Sequence, residues 1–200
     1  IAARAATPSP SPTQAPRVLA RYQKLVEKNS DTVGWLKVNC IAEINFAVVQ
    51  RDNSFYMTRD FNGQMNMNGA PFLDEYCSIS PRDDNLLIYG HNMKTGRMFA
   101  PIVKYRDQSF YDAHPYMYLY TPNQLYKVNL FAGMVTPHDS TVYSYSLSAD
   151  YIKQCIASST FKSSVGTPTG NILTLSTCAY DYDNARYVVM GELVPIDWPS

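Results

Sequence analysis

Short apolar runs recur along this chain. Each is rich in β-branched or aromatic residues and is closed by glycine, proline or asparagine, the signature of a strand-rich domain. Residues 33–38, 42–50, 85–89, 172–177 and 186–194 read as strands, and 55–58 as a further short one. Residues 117–120 and 125–135 read as a hairpin turned by Thr121-Pro122-Asn123-Gln124. Helical spacing is confined to three places. Val18, Leu19, Tyr22, Leu25 and Val26 make an apolar face over residues 17–28, just after Pro16. Met98, Ile102 and Tyr105 suggest a short helix. Ser148-Ala149-Asp150 would cap a helix whose buried face is Tyr151, Ile152, Cys155 and Ile156. Residues 61–69 are a loop rich in glycine and asparagine, and Gly166-Thr167-Pro168-Thr169-Gly170 is a breaker.

Three strands end in side chains that can do chemistry. The run from Asn171 to Thr177 delivers Cys178, and Arg186 opens the next strand after a polar loop. The run from Asn85 to Tyr89 leads through Gly90 to His91. A neighbouring cation favours thiolate over thiol, a guanidinium can hold an oxyanion, and a cysteine nucleophile needs an acid–base partner. Singly, these are a buried thiol, a turn histidine and a surface charge; at the ends of three apolar strands they suggest one site. Tyr89 lies two residues before His91, either on a groove wall or as a core aromatic. Ser176 lies two before Cys178, with its hydroxyl in reach of the same groove, while Thr177 points away. His114 and His138 sit in proline turns and read as surface histidines; Asp74 reads first as a turn cap, with a bond near the site as the alternative.

Composition narrows the picture. Lysine plus arginine and aspartate plus glutamate number 17 each, so charge gives no case for nucleic acid or an anionic membrane. Residues 1–16 are almost all alanine, serine, threonine and proline, the composition of a disordered linker, leaving 17–200 as one folded domain. No apolar run approaches the ~20 residues of a membrane span. None of the four cysteines pairs in CxxC spacing, which argues against a zinc site. Cys40, Cys77 and Cys155 read as buried free thiols, with a Cys40–Cys77 disulfide as the alternative an extracellular setting would allow. Phosphate-binding loops and HExxH are absent.

Leu175-Ser176-Thr177-Cys178, then Arg186-Tyr187-Val188-Val189, with Tyr89-Gly90-His91-Asn92-Met93 upstream, resembles the sortases, and class B in particular. The resemblance runs from about Pro16 to Pro195. It implies a mainly β fold: a closed eight-stranded barrel with an N-terminal helix and a helix-containing insertion before the cysteine strand. It implies a cysteine transpeptidase with Cys178 as nucleophile, His91 as acid and base, Arg186 on the oxyanion, and Tyr89 and Ser176 as substrate contacts, with no cofactor and no metal. The implied substrates are secreted proteins bearing an LPxTG-like signal, and the implied acceptor is an amine of peptidoglycan or its lipid-linked precursor. A pilin-polymerising sortase is the alternative, although the Asp-Pro-aromatic lid of class C is absent. A cysteine peptidase using water is another, although papain-like enzymes place the cysteine before the histidine. The implied location is the outer face of the plasma membrane, through an N-terminal anchor outside this sequence. A substrate-touching asparagine of the family aligns with Thr58, so that contact is not carried over.

Overall fold

The apolar runs become eight strands that close into a barrel. The computed structural model of the chain describes residues 17–38, 41–80 and 82–197, side chains at 17–21 and 42–43 excepted. The linker read at 1–16 and the thiol of Cys40 lie outside the described residues. The strands are β1 Thr32–Val38, β2 Ile41–Val49, β3 Phe72–Leu73, β4 Asn85–Tyr89, β5 Tyr116–Tyr120, β6 Leu125–Pro137, β7 Ile172–Cys178 and β8 Ala185–Ile196. Their order around the barrel is β1-β2-β3-β4-β7-β8-β6-β5, with β5 closing onto β1. The β2–β3 and β4–β7 pairs are parallel and the others antiparallel.

Strand β7 shows why a continuous apolar run is the right sign of a strand here. Leu173 and Leu175 point into the barrel with Leu36, Ile88 and Val128. Ile172, on the opposite face, packs with Val188, Met190, Ile152 and Cys155. A strand covered on both sides loses its alternation of polar and apolar residues. The outer cover is the insertion between β6 and β7. It carries helix α3, Ala149–Ala157, whose cap Ser148 accepts the Tyr151 N–H. Helix α1 is Arg17–Lys28, and its Tyr22 hydroxyl donates to the Thr32 carbonyl at 2.6 Å.

Two local readings change, and one strand was not read at all. Residues 55–57 are a turn of 3-10 helix rather than a strand. Asp52 Oδ1 accepts from the N–H groups of Ser54 and Phe55 and bends the chain there. The helix read at 98–105 is a 3-10 helix over Ala100–Arg106, followed by a short helix α2, Gln108–Ala113. Strand β3 is two residues long, too short to leave a period in the sequence.

Candidate active site

His91, Cys178 and Arg186 extend one row across three neighbouring strands. In the β4–β7 pair Tyr89 stands beside Ser176, and in the β7–β8 pair Ser176 stands opposite Val188 and Cys178 opposite Arg186. Two residues on from Tyr89 is His91. Along β7 the outward residues are Ile172, buried under the insertion, Thr174, bonded to Asn85 Oδ1, and Ser176, bonded to the Tyr143 hydroxyl at 2.9 Å. The cover ends there, and Cys178 emerges half-buried into a groove of ≈ 340 Å³. The groove is lined by His91, Cys178 and Arg186, and by Tyr89 and Ser176. The five candidate residues His91, Cys178, Arg186, Tyr89 and Ser176 therefore line one groove.

Backbone bonds lock the row. The Gly90 N–H donates to the Ser176 carbonyl at 3.1 Å. Thr177 Oγ1 donates back to the Gly90 carbonyl at 2.7 Å, so its hydroxyl is turned from the groove it borders. Asn92 Nδ2 donates to the Cys178 carbonyl at 2.8 Å. His91 Nε2 lies 2.7 Å from the Met57 carbonyl; a carbonyl can only accept, so Nε2 carries a proton and Nδ1 is the nitrogen left for exchange. Arg186 Nη1 donates to the Ala185 carbonyl at 3.0 Å. Burial raises the Tyr143 phenol, opposed by its hydrogen bond with Ser176 and by the charge of Arg186. Among the described residues the charged or titratable nitrogen bases on the groove are His91, His138 and Arg186, and no carboxylate lines it.

A sortase-domain family model matches residues 36–194. The chain belongs to the sortase family. It is 35% identical over 185 residues to sortase B of Listeria monocytogenes, covering 88% of this chain and 74% of that protein. The solved sortase B of Clostridium perfringens superposes with a TM-score of 0.78 at 31% identity, over 86% of this chain and 98% of that one. A sortase B solved in complex with triglycine gives a TM-score of 0.82 at 26% identity, over 92% of this chain and 89% of that one. This is thus a class B sortase, a cysteine transpeptidase with the closed eight-stranded barrel of its relatives.

Some parts of this sortase's groove carried no sequence signal. Tyr143, Asn53, Met57 and His138 all line it. His138 is exposed, as a surface histidine should be, yet borders the groove. Thr58 does not line it, whereas Asn53 and Met57 do. The insertion divides its work: α3 covers the outer face of the closed sheet, and the segment before it, with His138 and Tyr143, walls the groove. Asn92 was the most legible omission, since it directly follows His91.

Gly90 is needed for a different reason from backbone freedom. It is not among the residues of positive φ. A Cβ there would lie 2.6 Å from the ring of Phe99, which is fully buried. Gly90→Ala should therefore displace His91 or Phe99, lowering stability by about 1–3 kcal/mol and lowering kcat more than the melting temperature alone would suggest. Thermal melts alongside peptide turnover test this.

The other described thiols are chemically quiet. Burial pushes Cys77 up to about 12 and Cys155 up to about 11, and Cys77 is free rather than disulfide-bonded. The Leu87 N–H donates to Cys77 Sγ at 3.5 Å. At neutral pH both stay protonated and shielded. Iodoacetamide on the native protein should label Cys178 and spare Cys77 and Cys155 until denaturant is added, as peptide mapping would read directly.

Proposed function

We propose that this sortase cleaves an LPxTG-like sorting signal of secreted proteins after the threonine and passes the threonine acyl group, with the protein it ends, to a cell-wall amine. Cys178 Sγ, as thiolate, attacks the scissile carbonyl carbon. The Arg186 guanidinium and backbone N–H groups near the cysteine carry the charge that forms on oxygen. The tetrahedral species collapses as the imidazolium of His91 protonates the departing amine, leaving a thioester on Cys178. An acceptor amine then adds to that carbonyl, His91 takes its proton, and the thiolate leaves as the new amide forms. The observation that carries this reading is the single row of His91, Cys178 and Arg186 on one groove.

Tyr89 and Ser176 flank the row and serve as walls for the signal peptide. The related sortase B in complex with triglycine supports a glycine-bearing acceptor such as a peptidoglycan cross-bridge. The setting is the outer cell surface, with residues 1–16 as the spacer to an anchor. Among the described residues no helix is long and apolar enough to cross a membrane.

The test incubates the protein with a panel of LPxTG-like peptides, with and without triglycine. Ligated product that requires the amine is expected. Cleavage indifferent to triglycine would convert the reading to a peptidase, and absence of thiol-dependent turnover with every peptide would remove it.

A further inference from the structure

A buried carboxylate that touches no reacting atom gathers three segments of the groove. Asp74, just after β3, is 4% exposed. Its Oδ2 accepts from Asn53 Nδ2 at 2.9 Å and from the Tyr89 hydroxyl at 3.0 Å. Its Oδ1 accepts from the Tyr145 hydroxyl at 2.9 Å and from the Tyr76 N–H at 3.0 Å. The turn-cap role read in the sequence is therefore real, since the Tyr76 bond is local, but it is one bond of four. The other three come from the loop after β2, from β4, and from the insertion before β7.

We propose that Asp74 is a positioning residue for the signal peptide: it sets the shape of the groove by holding Asn53, Tyr89 and the insertion wall in one frame. The Asn53 amide is held through both of its polar atoms. Its Nδ2 donates to Asp74 while its Oδ1 accepts from the Glu75 N–H at 2.9 Å. The second Nδ2 hydrogen is left unassigned on a residue that lines the groove. Tyr89 is fixed by its hydroxyl at one end, and its ring lies 5.4 Å from Phe72 and 6.2 Å from Tyr143. Tyr145 is two residues past Tyr143, the wall residue that holds Ser176. Desolvation raises both phenols, followed by the Asp74 charge at Tyr89 and by the hydrogen bond to Asp74 at Tyr145, so both are hydrogen-bond donors at neutral pH. A carboxylate accepts from all four partners at once. An asparagine of the same shape cannot, because its amide nitrogen would face two N–H or O–H donors.

This inference rests on the groove being the signal-binding site, and the experiment separates the two. Asp74→Asn is compared with Tyr145→Phe, which removes one donor and lies outside the groove lining. For a signal peptide, KM should rise about tenfold in Asp74→Asn and about threefold in Tyr145→Phe, with kcat within about threefold of wild type in both. The alkylation rate of Cys178 should be unchanged, because Asp74 touches neither the thiol nor His91. Hydrogen exchange across residues 139–147, measured without peptide, should quicken in both variants. Unchanged KM in both variants, or kcat falling in step with melting temperature, would overturn the positioning role. If Asp74→Asn does not fold, Tyr145→Phe alone decides it by the same two readouts. If the wild-type protein turns over no signal peptide, the signal-binding reading fails, and the exchange data still report whether Asp74 frames the groove.

Discussion

Cys178→Ala is expected to reduce amine-dependent ligation by ~10⁴ or more, to background, with the melting temperature within a few degrees of wild type. The chemistry requires a covalent acyl carrier, and no other described thiol can take over. Cys77 is packed behind β4 with the barrel core, and Cys155 is on the buried face of α3. Both are held protonated by burial. Stability should be nearly indifferent, because Cys178 belongs to none of the three buried clusters and borders the open groove. Its backbone carbonyl, the acceptor for Asn92, stays in place. The variant should still bind the signal peptide, which calorimetry would measure. Turnover within tenfold of wild type would mean that the sulfur is not the nucleophile, and the thioester would go with it.

What could be read in the sequence and what could not divides by the distance over which each residue is determined. Cys178, His91 and Arg186 were legible because each ends or begins an apolar run, and a run fixes where its end lies on a sheet. Their convergence needed more, the parallel pairing of β4 with β7, for which only the resemblance spoke. The hairpin of β5 and β6 and the cap at Ser148 were legible because the determinants lie within a few residues. Asp74 is the opposite case. Two of its partners stand 71 and 21 positions away in the chain, and no local pattern marks a carboxylate that collects donors from three segments. Tyr143 and Tyr145 resembled any aromatic in a polar insertion. Residues 55–57 misled because two aromatics suggest a strand, whereas the upstream Asp52 decides the backbone there. Gly90 stood out in the sequence only as the step into His91; what requires a glycine there, the face of Phe99, is a tertiary contact.

His91→Ala is expected to lower kcat/KM by ~10²–10⁴, the range for a positioned general acid and base. In the proposed mechanism both halves of the reaction pass a proton through this ring: to the departing amine, then from the incoming one. Two explanations compete for such a loss, since His91 also donates to the Met57 carbonyl and so ties the loop after β2 to the row. His91→Gln separates them. Glutamine can still offer an N–H to that carbonyl but cannot shuttle a proton at neutral pH. Equal losses in the two variants assign the effect to proton transfer, and recovery of the glutamine variant to near wild type would assign it to the tether. His138 supplies the sharpest challenge, being a second imidazole on the same groove. If His91→Ala retained more than about a tenth of its activity and a further His138→Gln removed it, the acid and base would be His138. The row geometry favours His91, because it follows β4, which pairs directly with β7, whereas His138 follows β6, which pairs with β5 and β8.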